Sequence, residues 1–229
     1  MFPKLDLLEK KLGVKFKKED LLLEALTHRS YLNERPNWSK PHNERLEYLG
    51  DAVLELAITE SLFRKFPTYT EGQLTVFRAA LVNYQTLAKI ALAIDLDKFI
   101  LMSKGEAKDN GKAREVILAN TWEALIGAIY CDQGFKKASE VIQQFVFSHL
   151  PEILESKSYK DPKSELQEIV QEKLRLTPAY KVISESGPAH KRMFKVGVYF
   201  NGDLMASGKG LSKQEAETDA ARQALKNYK

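Results

Sequence analysis

The chain has 229 residues, 44% of them hydrophobic and 29% charged, which allows a sizeable core and one or two domains, with two expected. A single cysteine, Cys131, excludes an internal disulfide framework and suits a reducing compartment. No apolar run approaches the roughly 18 residues of a membrane span, so neither a span nor a signal peptide is expected, and the cytoplasm is the expected location. The net charge of +4 is unevenly divided: residues 1–155 carry 21 Lys and Arg against 22 Asp and Glu, while 156–229 carry 14 against 9. That basic surplus suggests that the second part meets a polyanion.

From residue 3 to about 148 the pattern predicts an all-α bundle. Apolar residues recur at three and four spacing in 19–26, 43–65, 71–92 and 114–131, punctuated by Pro36, Pro41, Pro67, Gly72, Gly105, Gly111 and Gly134. In the second of these stretches, HNERLEYLGDAVLELA at 42–57, Glu44, Glu47, Asp51 and Glu55 share one helix face, with Leu46, Leu49, Val53 and Leu56 opposite. Like charges at this spacing repel, and only Arg45 offers a counter-charge, off the stripe. The stripe is either a solvated face or a set of ligands for a divalent cation.

The fourth stretch bears on that choice. In VILANTWEALIGAIY, 116–130, Glu123 is the only charged residue. Burying a lone carboxylate costs several kcal/mol unless it is paired, protonated or bound to metal. Its partner is either an arginine such as Arg45 or Arg78, or a cation shared with the earlier acids, with Asn120 one turn away as a further oxygen donor. Carboxylate and amide oxygens suit Mg²⁺ or Mn²⁺ rather than zinc; the histidines at 28, 42, 149 and 190 show no ligand spacing. Gly50 and Gly127, inside predicted helices, point to close helix approach.

Residues 151–161, polar and beginning with proline, read as a linker between a helical domain at 1–150 and a second domain at 162–229. There a helix at 162–174 precedes three strands, AYKVISES, MFKVGVYF and LMASGKG, and a final helix, SKQEAETDAARQALKNY. The expected fold is thus an all-α domain followed by a small α+β domain of order α-β-β-β-α.

NERLEYLGD at 43–51, TEGQLT at 70–75, RAALVN at 78–83 and ILANTWEALIGAIYCDQG at 117–134 together resemble the catalytic domain of bacterial ribonuclease III, and ALTHRSY at 25–31 is similar to its N-terminal element. The tail, with GPAHKRMF at 187–194 and GKGLSKQEAETDAA at 208–221, resembles that family's double-stranded RNA-binding domain. The resemblance implies a homodimeric, Mg²⁺-dependent endoribonuclease, with Mn²⁺ able to substitute, that cuts duplex RNA to 5′-phosphate and 3′-hydroxyl ends with short 3′ overhangs in the processing of ribosomal and other RNA precursors. It implies Glu47, Asp51, Asn120 and Glu123 as metal ligands, Asp51 and Glu123 as catalytic, and Glu44 and Glu71 as further acids of the cleft. Tyr48 matches a dimer-interface aromatic; a core aromatic is the other reading. At residue 120 the family pattern most often has Asp, so Asn removes a negative charge, and a duplex-binding protein with weakened or lost cleavage is the alternative function. A helical bundle with incidental acids is the third, if Glu123 is salt-bridged. For RNA, Ser164, Gln167 and Gln171 lie at i, i+3, i+7 as uncharged donors suited to a minor groove, with His190 as a second minor-groove contact. Lys209 and Lys213, expected at the start of the last helix, suit phosphate. Gln214 stands where the family has a second basic residue.

Overall fold

The computed structural model describes residues 4–108, 111–156, 161–188 and 192–226. They fall into two compact units, Met1–Tyr159 and Lys160–Lys229. The first is helical: α1 (Leu5–Leu12), α2 (Glu19–Ala25), α3 (Arg29–Glu34), α4 (Glu44–Lys65), α5 (Glu71–Val82), α6 (Tyr84–Ala93), α7 (Lys112–Phe145) and α8 (Leu150–Ser156). At the centre lies α7, whose Leu118, Ala119, Trp122, Leu125, Ile126, Ala128 and Ile129 are all buried. A helix with neighbours on most sides must be apolar on most sides, which is why its stretch of sequence is so poor in charge.

Local signals place the boundaries. Thr70 and Gln73 form a capping box at the start of α5. The stretch 71–92 divides at Asn83, which is extended (φ −68°, ψ 154°); its side chain accepts the Thr86 backbone N–H at 2.9 Å and donates to the Ala80 carbonyl at 2.9 Å. One asparagine thus satisfies the end of one helix and the start of the next. Within α7 the backbone leaves helical geometry at Gly134, where φ is 81°, a value glycine adopts without strain.

The expected linker at 151–161 is corrected by α8. Pro151 sits in its first turn, where a missing N–H is no loss, and Leu150 and Ile153 are buried in the core of the first unit. The helical unit therefore runs through Ser156.

The second unit has the expected order, with α9 (Pro162–Leu174), β1 (Ala179–Ser186), β2 (Met193–Phe200), β3 (Asp203–Gly210) and α10 (Lys213–Leu225). The strands form an antiparallel sheet in the order β1-β2-β3. Leu166 and Val170 of α9, Val198 and Phe200 of β2, and Ala220, Ala221 and Ala224 of α10 make one core, so both helices cover the same face of the sheet. Among the described residues no helix is long and apolar enough to cross a membrane.

Candidate active site and nucleic-acid interface

The site in the first unit follows from how closely α4 and α7 pack. A methyl group on Gly50 would collide with the Glu123 backbone carbonyl, and one on Gly127 with the Leu46 carbonyl. Two glycines facing each other's helix allow backbone-to-backbone contact that any side chain would hold apart. The contact sets Glu47, one turn before Gly50, and Asp51, the residue after it, against Glu123, one turn before Gly127.

The electrostatics register that convergence. Glu123 is pushed up to about 8, first by burial, then by the charges of Asp51 and Glu47. Glu47 is also raised, by burial and then by Glu44, with Asp51 adding to the effect and hydrogen bonding from Asn120 opposing it. Asn120, Glu47, Asp51 and Glu123 thus occupy one neighbourhood, with Glu44 at its margin. Among the described residues no ion pair engages Glu47, Asp51 or Glu123. Arg78, one candidate partner of Glu123, donates instead to the Thr59 hydroxyl at 3.0 Å. The salt-bridged reading of Glu123 is overturned.

The donors are all hard oxygens carrying excess negative charge, the chemistry a divalent cation such as Mg²⁺ accepts. Among the described residues no three carboxylate, imidazole or thiol groups converge on one point, so the acids do not form a closed cage. Glu44 pairs with Arg29 at 3.5 Å, and the His42 Nδ1 lies 3.8 Å from its carboxylate. Glu71 stands apart from the four: it opens α5, accepts from the Thr75 hydroxyl at 2.9 Å, and lines a separate hollow of about 630 Å³ with Thr59, Phe63, Tyr69 and Arg78.

One supporting residue escaped the sequence reading. Asn43, directly before α4, is buried; its backbone N–H donates to the Thr27 carbonyl at 2.9 Å and its side-chain amide to the Ala25 carbonyl at 3.3 Å. The ALTHRSY segment therefore anchors the end of α4 that carries Glu44 and Glu47. An asparagine just ahead of a helical pattern was the available signal.

Further along α4, Tyr48, Leu56 and Phe63 are 83%, 57% and 70% exposed. The reading of Tyr48 as a core aromatic fails, and Leu56, expected on the buried face, lies outside it. These three form an apolar stripe without cover in the single chain.

In the second unit, Ser164, Gln167 and Gln171 are exposed along one face of α9. The Ser164 hydroxyl donates to its helix cap, Asp161, at 3.0 Å. Lys213 is the first residue of α10, its Nζ 5.9 Å from the centre of the Phe194 ring, and Gln214 beside it is exposed. Lys209 is corrected: it lies on β3, not at the start of α10. A methyl on either flanking glycine, Gly208 or Gly210, would strike α10, so strand alternation turns Lys209 to the opposite face of the sheet, where it pairs with Lys195. His190 lies outside the described residues.

Residues 18–150 match the family model described as ribonuclease-III-like, and 162–228 match the double-stranded RNA binding motif. The chain is 43% identical to Ribonuclease 3 of Dehalococcoides mccartyi, with 96% of this chain and 93% of that protein covered. It is 46% identical to Ribonuclease 3 of Carboxydothermus hydrogenoformans, with 97% and 94% covered. A crystal structure of the nuclease domain of ribonuclease III from Campylobacter jejuni is 42% identical, covers 66% of this chain and 98% of that one, and superposes with a TM-score of 0.58. Another structure of that domain, described as showing flexibility in a region involved in dimer formation, gives 0.59.

Proposed function

Since this chain belongs to the ribonuclease III family, as an endoribonuclease of that type with a double-stranded RNA-binding unit, we propose that it hydrolyses duplex RNA at the cleft between α4 and α7, with Mg²⁺ held by Glu47, Asp51, Asn120 and Glu123. The observation that carries this reading is the backbone contact at Gly50 and Gly127, which brings Glu47 and Asp51 near enough to Glu123 to raise its pKa, with no ion pair to any of the three among the described residues.

A divalent ion bound there supplies Lewis acidity: it lowers the pKa of water and offsets charge developing on the phosphodiester. The chain's own residues do the rest. Asp51 and Glu123 take the catalytic role, being the acids most directly opposed across the helix contact. Burial of Glu123 keeps its carboxyl protonated near neutral pH in the absence of a cation, so loading the site also releases a proton. Asn120 contributes a neutral oxygen where a carboxylate would add charge, which supports the second reading of weaker metal binding and slower cleavage.

Duplex RNA is held by the uncharged face of α9, at Ser164, Gln167 and Gln171, and by Lys213 at the α10 N-terminus, where side-chain charge and helix dipole both favour phosphate. The apolar stripe at Tyr48, Leu56 and Phe63 is covered by a second copy of the chain, because a patch of this kind marks an interaction surface. The homodimer presents two clefts, one for each strand. The products are 5′-phosphate and 3′-hydroxyl ends with short 3′ overhangs, and the substrates include precursors of ribosomal and other RNA. A short labelled RNA duplex incubated with and without Mg²⁺, its fragments sized and their ends tested with phosphatase, checks this. Fragments with 5′-phosphates appear only with the metal; cleavage unaffected by chelator, or 3′-phosphate ends, would refute it.

A further inference from the structure

The sheet of the second unit has one face under α9 and α10 and one face free of them. On the free face, strand pairing brings Lys195 of β2 directly opposite Lys209 of β3, and Lys181 of β1 opposite Gly197 of β2. Like charges directly across a ladder destabilise a sheet. None of the three ammonium groups makes an ion pair among the described residues; Lys181 instead lies with its Nζ 5.4 Å from the centre of the Tyr199 ring. The neighbouring acids are directed elsewhere: Glu185 pairs with Arg192 at 3.3 Å, Asp203 stands opposite Phe200, a residue of the helix-covered core, Glu215 accepts the Leu211 backbone N–H at 2.9 Å, and Asp219 accepts the Lys209 backbone N–H at 2.9 Å.

Beside the lysines is an apolar cluster. Gly197 leaves a hollow that Leu204, Tyr199 and Ile183 close over, their side chains 2.7, 2.9 and 3.0 Å from where a methyl would stand. Leu204 and Ile183 remain 54% and 43% exposed. Ile183 stands at the strand bulge between Val182 and Ser184, and its contact with the Gly197 hollow puts it on this face, opposite to Val182, which pairs with Val196 on the helix-covered side.

We propose that this face is a docking surface for an acidic amphipathic segment of a partner protein, whose carboxylates meet Lys181, Lys195 and Lys209 and whose aliphatic side chains cover Ile183, Tyr199 and Leu204. Charge complementarity selects the occupant: among the described residues no acid pairs with the three lysines, and the apolar cluster has nothing to gain from a phosphate backbone. Base stacking is disfavoured because Tyr199 is the lone aromatic of the cluster and Lys181 lies over its ring. The duplex-binding groups on α9 and α10 belong to the other side of the sheet, so the two surfaces can act at once.

The test uses the full ¹⁵N-labelled chain titrated with a synthetic peptide of Glu, Leu and Ala about 18 residues long, patterned as an amphipathic helix, and with a scrambled isomer of the same composition. The patterned peptide is expected to give saturable amide shifts at Lys181, Ile183, Lys195, Gly197, Tyr199 and Leu204. The variants Lys181→Glu/Lys195→Glu and, separately, Leu204→Ser should each weaken it about tenfold while duplex-RNA affinity stays at the parent value. Absence of saturation, or equal binding of the scrambled isomer, overturns the proposal. So does a duplex RNA that shifts the same amides and binds the double lysine variant more weakly, which would assign the face to nucleic acid.

Discussion

Glu123 carries the clearest physical signature of any single residue. Its carboxyl, ordinarily near 4.5, is raised to about 8, so between those values the folded chain holds a proton that the unfolded chain releases. Stability must therefore fall as pH rises through that window. Replacing Glu123→Gln removes the penalty. In metal-free buffer the variant should match the parent near pH 4.5 and exceed it at pH 8 by roughly 1–3 kcal/mol, read by calorimetry as a melting point several degrees higher. Saturating Mg²⁺ should narrow the gap by stabilising only the parent. Parallel melting curves across pH would show that Glu123 bears no such strain. Asn120 is the second test at this scale. Asn120→Asp adds a charged oxygen without changing size, so the Mg²⁺ midpoint for cleavage of an RNA duplex should fall about tenfold; superimposable titrations would remove residue 120 from the ligand set. The convergence of Glu123 with the earlier acids was legible in the sequence, because one charge in an apolar helix demands a partner. What was not legible was where each remaining acid or base ends up: Glu71 and Lys209 sit on elements whose direction depends on packing and on strand alternation, neither of which spacing alone reveals.

Among the elements, the α4 and α7 pair governs the site. The methyl groups that Gly50 and Gly127 lack would each meet backbone, which cannot rotate away, so Gly50→Ala should cost several kcal/mol and separate the acids. Gly72→Ala in α5, where a methyl meets nothing within 4 Å, should instead stabilise by up to about 1 kcal/mol through helix propensity. Denaturant midpoints for the two variants measure the contrast; equal effects would mean that the helices are not held at backbone contact. Periodicity predicted α4 and the core of α7 well, and two facing glycines hinted at the contact. It misjudged Leu56, because α4 buries Leu46, Val53, Leu54, Ala57 and Ile58, a face centred away from Leu56. An apolar residue beside the buried face is indistinguishable, in one sequence, from a residue within it. The same ambiguity hid α8 inside a polar stretch, since two buried side chains among seven residues make too short a pattern to register.

For the whole molecule, the proposed function places chemistry in the first unit and duplex binding in the second, and assigns the exposed stripe on α4 to contact with a second copy. Tyr48→Asp should shift the protein toward monomer in sedimentation equilibrium, since a buried carboxylate without a partner opposes association; an unchanged dimer would place the interface elsewhere. The order of the two domains was readable from the change of hydrophobic period and from the basic surplus after residue 155, both of which are properties of long segments and tolerate local error. The most direct test of the account is a parallel measurement on parent and Glu123→Gln chains of duplex-RNA cleavage rate in Mg²⁺ and duplex-RNA affinity at matched ionic strength. Cleavage is expected to fall by several kcal/mol of barrier, at least roughly a hundredfold, while affinity stays within about threefold. Cleavage that survives the substitution, or affinity that falls together with it in a folded protein, would contradict a metal-holding cleft distinct from the RNA-binding unit.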